Sequence, residues 1–112
     1  MDDNNYILSL LDNFTLDNPD EIAKDIAADF RRRRVEKNLT RDQLAEKAEV
    51  AVSNLVRFEQ KGLISLRNLI SLAMALGYTS EVKNIFAKPK FSTMEELATI
   101  RRNSSRKKAY RK

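Results

Sequence analysis

Residues 40–62 carry the pattern of a short helix, a turn of three residues and a second helix of about ten. Thr40-Arg41-Asp42-Gln43 has the form of a capping box. In that motif the Thr40 hydroxyl accepts from the Gln43 N–H, and the Gln43 side chain reaches back to the Thr40 N–H. Leu44, Ala45 and Ala48 give this helix an apolar side, and it ends at about Ala48. Glu49-Val50-Ala51 forms the turn, and Gly62 closes the following helix of about residues 52–61. Leu55 and Phe58 face inward there, with Val50 and Leu55 at hydrophobic-staple spacing.

Further helix starts lie on either side. Asn18 reads as an N-cap with Pro19 at the first helical position, and Asp20 and Glu21 complement the dipole in the first turn. Ile22, Ile26 and Phe30 recur every four residues and predict the buried face of a helix running to about Lys37. Asn38 is placed to end it in a left-handed conformation. Ser65 caps a helix carrying Leu66, Leu69, Ile70, Ala73 and Leu76, stopped by Gly77. Ser80 begins another with Val82, Ile85 and Phe86, and Pro89 interrupts it. Ser92-Thr93-Met94-Glu95 reads as a second capping box, opening a helix with Met94, Leu97 and Ile100. Near the N-terminus, Ile7, Leu10, Leu11 and Phe14 also keep helical spacing, in an acidic segment.

The predicted fold is all-α. Its expected parts are an acidic N-terminal segment (1–17), a five-helix domain (18–87), a C-terminal helix (88–100) and a disordered basic tail (101–112). Two glycines and two prolines in 112 residues are too few for a hairpin-rich β protein or a glycine-rich phosphate loop. Cysteine and histidine are both absent. No disulfide or Cys/His zinc site can form, and neither a thiolate nor an imidazole is at hand for catalysis. No constellation of carboxylates and nucleophiles stands out, so the expectation is a protein that is not an enzyme and uses neither cofactor nor metal. No apolar run approaches a bilayer span, and the acidic start MDDNN is unlike a secretion signal, which predicts a cytoplasmic protein without membrane contact.

Charge is unevenly spread. Residues 1–29 hold eight acids and one base, residues 30–100 thirteen bases and eight acids, and residues 101–112 seven bases and no acid. A basic core with a cationic end points to a polyanionic partner. The residues around the short helix pair agree. With Leu55 and Phe58 inside, Ser53, Asn54, Arg57, Gln60 and Lys61 are left outside, and 53, 57, 60 and 61 share one face. Such a face can donate to and accept from base edges, and Arg57 can pair bidentately with guanine. Arg41 stands at a helix N-terminus, a poor place for a cation unless an anion binds there.

Residues 26–77 resemble the XRE (lambda/P22-repressor-like) helix-turn-helix family. The resemblance is carried by Ile26-Ala27…Phe30-Arg31, Leu39-Thr40-Arg41-Asp42-Gln43-Leu44-Ala45, Val50, Leu55, Arg57-Phe58-Glu59 and Ala73…Ala75-Leu76-Gly77. It implies a five-helix bundle that binds double-stranded DNA, with Thr40 and Arg41 at the phosphate backbone and Val52, Ser53 and Arg57 as readers. Asn54, Gln60 and Lys61 would complete the contact surface. It also implies a structural ion pair between Arg34 and Glu59. Val52 either packs on a thymine methyl group or belongs to the core. Two departures stand in the turn: Glu49 replaces the usual glycine, and Ala51 the usual Ser/Thr cap.

The segment from Arg57-Phe58-Glu59-Gln60-Lys61-Gly62 to Leu66, with Phe91-Ser92…Glu95-Glu96 before a basic end, is similar to HipB-type antitoxins. That resemblance implies autoregulation at the protein's own promoter and a HipA-type kinase toxin as partner. The expected function is a sequence-specific repressor, a homodimer on a palindromic operator, with dimer surfaces in residues 81–100 and the N-terminal stripe. The alternatives are a regulator without a toxin partner and a module that neutralises a toxin chiefly by direct contact.

Overall fold

The computed structural model describes residues 17–106, which hold six helices and no strand. They are α1 (Pro19–Glu36), α2 (Arg41–Ala48), α3 (Val52–Lys61), α4 (Leu66–Ala75), α5 (Thr79–Lys83) and α6 (Met94–Ser104). The chain divides into two compact units, residues 1–79 and 80–112. The N-terminal stripe of residues 6–14 and the end of the basic tail lie outside the described residues.

The first unit is built from local start and stop signals. The Asn18 side chain accepts from the Glu21 N–H at 2.9 Å, with Pro19 in the first turn. Thr40 and Gln43 form the reciprocal capping box. Ser65 caps α4 through the Asn68 N–H. Asn38 takes a left-handed φ of 59° just past α1. These positions were all legible from residue type, because each cap is settled within four residues.

The core is one cluster: Ala27 and Phe30 from α1, Leu44 and Ala45 from α2, Val50 from the turn, Leu55 and Phe58 from α3, and Leu72 and Leu76 at α4. The rings of Phe30 and Phe58 meet edge to face, with centroids 5.2 Å apart. α3 packs on α1 and on α2, and α2 also packs on α4.

Two apolar stripes differ from expectation. On α1 the buried line is Ala27, Phe30 and Arg34, while Ile22 and Ile26 are about half exposed. The physical reason is a close approach. A Cβ at Gly62 would lie 3.0 Å from the carbonyl carbon of Ala23, so the end of α3 meets the α1 backbone on its alanine side. Small side chains permit that approach, and the isoleucines are turned outward. On α4, Leu66 is exposed and Leu72 is fully buried.

The second unit contains no buried residue among those described. α5 has only five residues, and Ile85 and Phe86, expected to face inward, are exposed. The α6 cap lies one residue later than the spacing suggested. Thr93 accepts from the Glu96 N–H, and the Glu96 carboxylate accepts from both the N–H and the hydroxyl of Ser92. Those bonds to the charged form hold the Glu96 carboxyl below its ordinary range. α6 continues past Ile100, the expected limit of ordered helix, to Ser104.

Candidate nucleic-acid interface

α3 turns two faces in different directions. Leu55 and Phe58 are buried, and Val52, Ser53, Asn54, Arg57, Gln60 and Lys61 are all exposed. Val52 is 40% exposed, which settles its choice between core and surface in favour of surface. The helix begins where expected although its start is poorly furnished. Glu49 adopts φ 57°, a left-handed conformation that costs an L residue about 1–2 kcal/mol. Ala51 stands at the N-cap with no side-chain hydrogen bond. Val50 offsets these defects: it is buried in the core cluster, and its N–H donates to the Ala45 carbonyl at 2.9 Å.

Glu59 holds α3 in orientation. Its carboxylate is fully enclosed and accepts from Arg34 twice, from Nε at 2.7 Å and from Nη2 at 2.9 Å. A third bond comes from Arg41 Nε at 2.9 Å. Arg34 also donates through Nη1 to the Leu39 carbonyl at 2.8 Å, so one guanidinium ties α1 to both the α1–α2 connection and α3. Burial pushes the Glu59 carboxyl up. The hydrogen bonds from Arg34 and Arg41, with the charges behind them, outweigh burial and hold it below its ordinary value. Two cations share one anion, leaving the cluster with a surplus positive charge beside α3.

The bond from Arg41 to Glu59 was not legible in sequence. Its partners lie eighteen positions apart on different helices, and no local signal links them. The contact engages Nε of Arg41. Neither Nη nitrogen makes a hydrogen bond among the described residues, so the outer edge of the guanidinium stays available while its orientation is set from behind.

Two grooves flank α3. One, of about 460 Å³, is lined by Arg31, Arg34, Thr40, Arg41, Asp42, Val52 and Val56. It brings together Thr40, Arg41 and Val52 from the expected set and adds Arg31, an exposed cation without an ion pair among the described residues. The other, of about 260 Å³, is lined by Asn54, Arg57, Leu63, Ile64, Ser65 and Asn68. It brings Asn54 and Arg57 together with Asn68 of α4, a residue with no signal of its own in the sequence. Ser53, Gln60 and Lys61 are exposed on α3 and line neither groove. The surface thus offers amide, hydroxyl and guanidinium groups on a ridge between the two grooves. Such a set suits hydrogen bonding to base edges and phosphates.

Residues 30–83 match the family model described as helix-turn-helix. No curated protein and no solved structure matches the chain. Among the described residues no helix is long and apolar enough to cross a membrane. The all-helical architecture is consistent with a lambda-repressor-like fold. Residues 30–83 therefore carry a helix-turn-helix domain, a finding that supports a DNA-binding transcription regulator.

Proposed function

We propose that this protein is a sequence-specific repressor that binds a palindromic operator in double-stranded DNA as a homodimer. α2 lies across the phosphate backbone and α3 enters the major groove. Thr40 and Arg41 take phosphate oxygens at the groove edge, with Arg31 beside them. Ser53, Asn54 and Arg57 meet base edges, Arg57 pairing with a guanine, while Val52 packs on a thymine methyl group. Gln60 and Lys61 contact the flanking backbone. The half-sites lie about 10–10.5 bp apart, centre to centre, or at a multiple of that spacing. The observation that carries this reading is the free polar face of α3, held in place from beneath by Glu59.

A footprint on the DNA upstream of the protein's own reading frame tests it. Arg57→Ala is expected to cost about 1–3 kcal/mol of binding and to relax base preference at one position. Arg41→Ala is expected to weaken all sequences alike and to lower the salt slope by about 1 per copy. Wild-type binding by both variants would remove α3 as the reading helix. The finer reading, a cytoplasmic autoregulating antitoxin paired with a HipA-type kinase toxin, is supported by the resemblance of residues 57–66. It predicts co-purification with the product of an adjacent kinase-like frame, and loss of that complex would leave a regulator without a toxin partner.

A further inference from the structure

Arg41 is held on one side and open on the other. It stands at the first position of α2, where the helix dipole disfavours a cation. Its Nε donates at 2.9 Å to the enclosed carboxylate of Glu59 on α3. Glu59 does not need this bond for neutrality. Arg34, itself buried, already supplies a full positive charge through bonds of 2.7 and 2.9 Å. The charge of Arg41 is therefore left over, and it lies on the more open side of the cluster. The Arg41 side chain is 34% exposed, against 8% for Arg34 and 0% for Glu59.

A guanidinium carries its N–H donors in a rigid plane. On Arg41 the Nε donor is taken by Glu59, and those on the two Nη nitrogens make no hydrogen bond among the described residues. Arg41 lines the groove that Arg31 and Thr40 also line. A bond at Nε restrains the plane from behind, which lowers the ordering cost of a further contact at the Nη edge. An anion at that edge leaves the Glu59 bond in place, and Arg34 cancels the repulsion that a lone carboxylate would exert on it. We propose that Glu59 is a positioning residue for DNA binding, holding Arg41 by Nε so that its Nη edge meets a backbone phosphate in an orientation tied to α3. Under the repressor reading, on which this assignment rests, one carboxylate then sets both the pose of the reading helix and the phosphate contact of α2.

Arginine Nε–H resonances of the isotope-labelled full chain test this, with the Arg41 signal identified by its loss in Arg41→Lys. In the free protein that N–H is expected to exchange with water about tenfold or more slowly than the Nε–H of exposed Arg57, because Glu59 holds it. It should stay slow when the footprinted operator duplex is added. Exchange as fast as that of Arg57 would overturn the proposal. So would release of the N–H on adding operator, which marks Glu59 as a latch that competes with DNA. Affinity supplies the second arm. Arg41→Lys keeps the charge but lacks the rigid plane, so it is expected to bind the operator about tenfold more weakly with an unchanged salt slope. In the Glu59→Gln background the same substitution should cost about twofold or less, because the orientation is already lost. An equal cost in both backgrounds makes Glu59 structural only and sinks the positioning role. Where Glu59→Gln does not fold, the exchange measurement decides alone. Wild-type binding by Arg41→Lys, with the footprint intact, removes this assignment and leaves the repressor reading standing. A wild type that protects no DNA removes the repressor reading and this assignment together, even where the N–H is slow.

Discussion

Three side-chain hydrogen bonds, from two helices, meet at the Glu59 carboxylate. Its pKa is lowered on folding, so its contribution to stability is fully present above the ordinary value of 4.5 and is lost as pH falls through the lowered folded value. Urea unfolding of wild type should weaken through that acid window, and the Glu59→Gln profile should be flatter there. At pH 7 Glu59→Gln is expected to cost roughly 3–5 kcal/mol, because Arg34 is left buried against a neutral amide. Two backbone positions make opposite predictions. Gly62 has φ 72°, and an added Cβ would meet the backbone of Ala23 at 3.0 Å, which cannot swing aside as a side-chain end would. Gly62→Ala should therefore destabilise by about 2–3 kcal/mol in urea melts. Glu49→Gly relieves a left-handed glutamate at φ 57° and should stabilise by about 0.5–1 kcal/mol, less than the strain itself because glycine loses more entropy on folding. The strain at Glu49 follows from residue type in the turn, whereas the need for glycine at 62 beyond its φ comes from Ala23, 39 positions earlier.

Among the elements, α3 is held by its neighbours more than by its own ends. Its N-cap residue, Ala51, makes no side-chain hydrogen bond. Ala51→Ser should add about 1 kcal/mol of stability in the same melts, and amide exchange at Ser53 and Asn54 should slow. If exchange there is unchanged, packing by Val50 and Leu55 already sets the opening of the first turn. The limits of α2 and α3 were readable because a capping box, a closing glycine and a short apolar period all act within one or two turns. The inward side of α1 was not. Both Ile22/Ile26 and Ala23/Ala27 keep helical spacing, and the choice between them depends on how closely α3 approaches, which no window on α1 contains. The register of the α6 cap was missed by one residue for a related reason: Ser92 and Thr93 are adjacent hydroxyls, and Glu95 and Glu96 adjacent acceptors. Only the fold of the turn assigns Thr93 to the Glu96 N–H and Ser92 to its carboxylate.

For the whole molecule, the proposed interface sets a salt dependence. In the proposed homodimer, Arg31, Arg41 and Lys61 of two copies would make six phosphate contacts, which predicts a log–log slope of binding against salt near −5. Titration between 50 and 200 mM salt measures it, and a slope near −3 would confine backbone contact to one copy.

Composition, caps and short-range periodicity were enough to establish an all-α chain, the bounds of the helix pair and the identity of the polar residues on α3. All of these follow from interactions between residues a few positions apart. The enclosure of Glu59 by Arg34 and Arg41, the outward turn of Ile22 and Ile26, and the absence of buried residues in the described part of the second unit came from the folded arrangement. Each depends on the distance between segments remote in the chain, and close packing, which no local pattern encodes, sets that distance.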